Sequence, residues 1–180
     1  LGALTGFIMA ALVGLIMARY REVFFAMLNL AFSMMLFGAL LKFYRVTNGT
    51  DGLPIGTPTL LGFEIDSDSL SFYYFSLVIV AIVAYVIHRF MASPNGFYLR
   101  ALHDNEIRIE YSGVSVRQVV YRTYILAGTL GGVSGVLAAF TIGHIVPEDA
   151  FWIQSGQFVF VALLGGFGGL AGPLMGSFVF

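Results

Sequence analysis

The sequence predicts an all-α polytopic membrane protein of about five to six transmembrane helices, one of them broken by glycine near the C-terminus. Three observations lead there. Of the 180 residues, 58% are hydrophobic and only 11% are charged, against about 25% charged in an ordinary soluble domain. The 9 basic and 10 acidic residues fall in four windows, 19–22, 42–68, 89–122 and 148–149. The stretches 1–18, 23–41, 69–87, 123–147 and 150–180 between them carry no charge. About 20 helical residues cross a hydrocarbon core of about 30 Å, whereas a surface helix of a soluble domain carries a polar face throughout. The composition excludes a water-soluble enzyme and a disordered chain.

The first segment, 1–18, lacks a basic leader and meets its first Arg at position 19, so it reads as a span rather than a cleaved signal peptide. Residues 23–41 make the second span, 69–87 the third and about 119–142 the fourth, and the fifth begins at 150. A start at Leu1 and an apolar end at Phe180 lead us to expect a piece of a longer chain, a single transmembrane domain in part. The loops that share one side hold Arg19, Arg21, Arg89, Arg100, Arg108, Arg117 and Arg122. Those on the other side hold Lys42 and Arg45 among Asp51, Glu64, Asp66, Asp68, Glu148 and Asp149. Basic residues collect on the cytoplasmic face. Loops 19–22 and 89–118 are therefore expected in the cytoplasm, and loops 42–68 and 143–152 outside.

Loop 42–68 is rich in turn pairs (Asn48-Gly49, Asp51-Gly52, Leu53-Pro54, Thr57-Pro58) and reads as an ordered external loop. Phe72, Tyr73, Tyr74 and Phe75 suit the outer interfacial belt. Residues 164–176 hold six Gly and Pro173 within 13 positions. We expect a helix to about Leu164, then a turn or re-entrant stretch, then a new helix with Pro173 in its first turn. Broken backbone at membrane depth needs protein or a polar cavity around it. Gly165, Gly166, Gly168 and Gly169 are thus candidates for a translocation path. Asn29 and Ser33, one turn apart on the second span, either line that cavity or bond back to their own helix. Small residues four apart, Gly128/Gly132, Gly131/Gly135 and Gly172/Gly176 among them, let helix backbones approach closely.

No cofactor is expected. Cys is absent, and His88, His103 and His144 lie in separate segments without ligand spacing. Gly166-x-Gly168-x-x-Ala171 has the outline of a dinucleotide fingerprint but no preceding soluble strand. The stretch 89–118 carries more information. Ser93-Pro94-Asn95-Gly96 reads as a turn, and Phe97 to about Tyr111 as one or two short helices. Asp104, Asn105 and Glu106 favour a helix start, and Gly113 suits a C-terminal cap. Ile107, Tyr111 and Val114 share a face. Two readings fit: an amphipathic connector on the membrane, or a docking element for a soluble partner.

Arg100-Ala-Leu-His-Asp-Asn-Glu-Ile-Arg-Ile-Glu-Tyr-Ser-Gly113 resembles the cytoplasmic loop of branched-chain amino-acid ABC transporter permeases, typically R-A-[IL]-R-[DE]-N-E followed by A-E-x-L-G. The resemblance continues in order along nearly the whole chain. Arg19-Tyr-Arg21-Glu-Val-Phe-Phe25 is similar to the family's R-x-R-G-x-Y-F, and Thr47-Asn-Gly49-Thr-Asp51-Gly52-Leu to T-G-G-x-[DN]-G-L. Gly132-Val-Ser-Gly135-Val-Leu is similar to A-G-x-A-G-x-L, and the run 164–173 to L-G-G-x-G-[TS]-x-x-G-P. Glu22, Phe24, Asn29 and His103 depart from the family's Gly, Tyr, Thr and Arg. Of the broader importer coupling motif, E-A-A-x-x-x-G, Gly113 alone is kept.

The resemblance implies a permease subunit in a bacterial inner membrane that performs no covalent chemistry. It would pair with a second, related permease and be driven by two cytoplasmic ATP-binding subunits. An external solute-binding protein and the surrounding lipid complete the set of partners, with no nucleic acid among them. Arg100, Asp104, Asn105, Glu106, Ile107, Tyr111 and Gly113 would then couple the membrane domain to the ATPases. A permease for urea or short amides shares these motifs. A proton carrier or respiratory-complex subunit is disfavoured, because such proteins place carboxylates, His or Lys in the membrane; the first, second, third and fifth spans hold none, and Arg122 sits near the cytoplasmic end of the fourth, able to snorkel.

Overall fold

Every uncharged stretch of sequence contributes helix in the computed structural model, which describes residues 1–55, 59–60, 63–64, 70–104, 106–166, 169 and 171–179. The long helices are α1 (Gly2–Met17), α2 (Glu22–Lys42), α4 (Leu70–Met91) and α7 (Val116–Ile142). Short helices α3 (Tyr44–Thr47), α5 (Pro94–Asp104) and α6 (Glu106–Tyr111) lie between them. The broken last segment supplies α8 (Trp152–Gly165) and α9 (Ala171–Val179). Among the described residues, Val23–Lys42, Leu70–Met91 and Val116–Ile142 are long and apolar enough to cross a membrane, while α1 and α8 are apolar but shorter. The shortness of α8 has a local cause: its C-terminal neighbour Gly166 sits at φ +80, outside the helical region. As expected, a helix with Pro173 in its first turn follows the break. The chain is an all-α polytopic membrane protein.

Among the described residues, four short strands accompany the helices. β1 (Leu53–Pro54) pairs antiparallel with β4 (His144–Ile145), and β2 (Thr59–Leu60) with β3 (Phe63–Glu64). Two-residue strands carry no periodic signal, so the sequence does not announce them. Ser93-Pro94-Asn95-Gly96 is a further difference. Rather than a separate turn, it is the entry to α5, with Pro94 at the first helical position. The Gly96 amide donates to Ser93 Oγ at 3.4 Å, which caps the helix.

The chain divides into two compact units. Residues 1–26 and 56–143 form the first. Within it α1 and α7 run antiparallel, in contact along a glycine seam. A Cβ added at Gly6 would overlap the Gly128 carbonyl, one at Gly128 would overlap the Ala10 Cβ, and one at Gly132 would overlap the Gly2 carbonyl. Lipid tails are as apolar as the helix faces, so such backbone proximity, with its dispersion contacts, does what water expulsion does in a soluble core. The Tyr121 hydroxyl donates to the Ala11 carbonyl at 3.3 Å, and Phe25 meets Tyr124 edge-on at 6.1 Å. Gly131 and Gly135, on the same helix with the same spacing, face open space.

Residues 27–55 and 144–180 form the second unit. Here α8 and α9 fold into a hairpin so close that Gly165 and Gly172 meet backbone to backbone, and Gly176 meets Val161. The turn 47–53 is held by its own polar groups. Thr47 Oγ1 donates to Leu40 O at 2.7 Å, and Asn48, left-handed at φ 56, donates through Nδ2 to Gly52 O at 3.4 Å. Those bonds deliver Leu53 to its pairing with Ile145.

Candidate docking site and translocation path

Arg100 lies on α5, where its guanidinium donates to the Met91 carbonyl at the end of α4 at 3.1 Å. It therefore caps a helix C-terminus, a favourable place for a cation, and joins the short helices to the span before them. From the other end, Arg122 of α7 donates to Asn95 Oδ1 of α5 at 3.4 Å. The short helix α6 starts at Glu106 and ends at Tyr111; Gly113 follows at φ +81, the left-handed cap that the sequence predicts. Ile109 is buried, whereas Ile107 and Tyr111 are 64% and 89% exposed. One side of α6 thus anchors the helix and the other presents two large apolar side chains. Asn105, and the side chain of Asp104, lie outside the described residues.

Glu106 has an ion-pair partner within the chain. Its carboxylate pairs with Arg21 Nη1 from the connection between α1 and α2, and Arg21 Nη2 lies 3.7 Å from Glu110 Oε1. Glu106 and Glu110 stand one turn apart on α6, where like charges repel; a guanidinium between them removes that penalty. The sequence places Arg21 among the cytoplasmic basic residues without giving it a role at the site. An acidic pair at i and i+4 on so short a helix is the signal that a cation has to come from elsewhere.

The residues singled out for a path that the structure describes lie on α2, on α8 and in the turn that follows α8. Ser33 Oγ donates to the Ala150 carbonyl at 3.1 Å. It neither bonds back to its own helix nor offers its proton to a cavity, because the turn Pro147–Ala150 presents a carbonyl that a neighbouring helical residue could not. Phe37 meets Phe151 at a tilt of 59°, ring centroids 5.1 Å apart, beside that contact. Asn29 is exposed, one turn earlier on α2. Gly165 is consumed by the α8–α9 contact; Gly166 and Gly169 hold positive φ in the turn, with open space at each Cβ position. Gly168 lies outside the described residues. Ser33→Ala should cost about 1 kcal/mol, the usual net worth of one such bond, read as a lower unfolding temperature in detergent.

Comparison with known proteins agrees with this architecture. The high-affinity branched-chain amino acid transport system permease protein LivM of Escherichia coli (strain K12) is 27% identical over 180 residues, 87% of this chain and 42% of that protein. The probable branched-chain amino acid transport permease protein LivM of Methanocaldococcus jannaschii is 24% identical over 178 residues, 98% of this chain and 51% of that protein. The guanosine ABC transporter permease protein NupP of Bacillus subtilis (strain 168) is 34% identical over 92 residues, 49% of this chain and 26% of that protein. The chain thus spans about half the length of its branched-chain relatives. No solved structure matches it. A family profile described as branched-chain amino acid transport system, permease component, matches residues 1–180, and the chain belongs to that family.

Proposed function

We propose that this chain is the transmembrane permease subunit of an ATP-driven importer for branched-chain amino acids. It lines the membrane path together with a second, related permease. Two cytoplasmic ATPase subunits drive it, and an external solute-binding protein delivers the solute. The observation that carries this reading is the α5–α6 pair. Two short polar helices sit between the apolar spans α4 and α7 and present Ile107 and Tyr111, in a chain matched by the permease family along its whole length. ATP chemistry resides on the partners, and the permease responds because nucleotide-bound ATPases favour one of its conformations over another.

The basic loops 19–22 and 89–118 face the cytoplasm in this reading, and 42–68 and 143–152 face outward. The antiparallel course of α1 and α7 supports that alternation, as does the pairing of β1 with β4, which joins the two outward loops. Single cysteines on this Cys-free background test it. A Cys at Glu148 should react with an impermeant maleimide from outside only, and one at Tyr111 from inside only. The reverse pattern would overturn the topology.

The deciding experiment is uptake by the full-length permease, reconstituted with its sister permease, ATPases and binding protein. ATP-dependent leucine uptake is expected. The likeness to a guanosine permease makes a nucleoside the competing solute, and urea the competitor on motif grounds. Guanosine or urea uptake without leucine uptake would replace the substrate while leaving the importer reading intact. Uptake of leucine without added ATPases would overturn that reading itself.

A further inference from the structure

We infer that Arg21 is a positioning residue: it clamps α6 to the entrance of α2, so that motion imposed on α6 is handed directly to a transmembrane helix. The inference rests on the proposal that α6 docks on an ATPase. Arg21 sits between α1, which ends at Met17, and α2, which begins at Glu22. It grips Glu106 with Nη1, and its Nη2 is 3.7 Å from Glu110. The Arg21 and Glu106 side chains are each only 34% exposed, so the pair is partly shielded from the water and salt that weaken surface ion pairs.

With six residues, α6 is far too short to be stable alone. Among its attachments are the buried Ile109, the left-handed Gly113 that ends it, and Arg21. Ile109 gives burial without direction, and Gly113 fixes the exit of the chain. A guanidinium paired with Glu106 and lying 3.7 Å from the Glu110 carboxylate one turn on favours the position and rotation of α6 that keep both carboxylates beside it. Its backbone leads straight into α2, a continuous helix to Lys42. The face of α6 with Glu106 and Glu110 therefore looks inward to the membrane domain, and Ile107 and Tyr111 remain for the partner.

Two readouts in membranes containing the full-length transporter test this. The first is maleimide labelling of Ile109→Cys, at a position buried in the native arrangement. Arg21→Gln should raise its rate about tenfold, the population change expected on losing a charged contact of this kind. The second is solute taken up per ATP hydrolysed, which should fall in the same variant. Arg21→Glu combined with Glu106→Arg should restore both values toward native, which a merely space-filling role would not do. If Arg21→Gln fails to insert, Arg21→Lys serves in its place; it keeps one charge without the second arm and should label at an intermediate rate. Native labelling and native coupling in Arg21→Gln, or in Arg21→Lys where it substitutes, would overturn the inference, as would a charge-swapped pair no better than Arg21→Glu. The docking reading fails separately: in that case Ile107→Ala with Tyr111→Ala would leave ATPase co-purification unchanged, while labelling of Ile109→Cys still responded to the Arg21 substitutions.

Discussion

Gly132→Val should prevent accumulation of folded protein, whereas Gly131→Val, one position along the same helix, should change its stability by less than about 1 kcal/mol. A Cβ at Gly132 would overlap the Gly2 carbonyl and lie 3.0 Å from the Gly6 Cα. Both obstacles are backbone, so no rotamer change relieves them, and α1 would have to withdraw from α7 as a body. Overpacking in a soluble core costs about 1–3 kcal/mol and occasionally more. Here the cost is at the upper end, because withdrawal also breaks the Tyr121–Ala11 bond and opens the contact of Gly14 with Tyr124. Close backbone contact is what associates helices in lipid, and it leaves nothing to compensate. At Gly131 a new Cβ meets nothing within 4 Å. Size-exclusion profiles of detergent extracts check the pair: loss of the monodisperse peak for Gly132→Val only. Equal loss for both variants would contradict the assignment of the seam.

The second large effect is expected at Gly113, in coupling rather than in folding. Its φ of +81 lies in the left-handed region, which costs a residue with a Cβ about 1–2 kcal/mol. Space is not the obstacle, since a Cβ there meets nothing within 4 Å. The penalty is purely conformational and falls on a helix of six residues. A shift of about 1–2 kcal/mol changes a population by roughly 5–30-fold. Gly113→Val should therefore lower solute transported per ATP hydrolysed by about that factor, with membrane levels unchanged. Gly113→Asn should retain most of the coupling, because Asn tolerates the left-handed conformation. Equal losses for Val and Asn would show that α6 does not depend on this cap.

These expectations divide by how far the relevant information travels along the chain. Where the helices begin and end was legible because charge is costly in hydrocarbon. Arg19 to Glu22, Lys42 and Arg89 therefore mark boundaries that α1, α2 and α4 respect to within a few residues. The break after α8 and the cap at Gly113 were legible for a different local reason: a glycine run and a lone glycine advertise backbone that other residues avoid. The family resemblance, too, could be read from motifs in order.

Partner choice was not legible, since it is a property of two places at once. Gly128/Gly132 and Gly131/Gly135 have the same spacing, yet the first pair meets α1 and the second meets open space. From sequence, Ser33 is a pore or self-bonding residue; the fold puts the Ala150 carbonyl within its reach, 117 positions away. Glu106 is legible in the sequence only as a contact for an outside protein, and the tertiary structure adds its pairing with Arg21, 85 positions away. By itself the sequence determined how many segments are apolar and where they break, because each follows from a residue's own solvation or backbone preference. The tertiary structure alone decided which glycines touch, which hydroxyl is spent and which cation holds α6. Those outcomes depend on distances between residues that the chain brings together only when it folds.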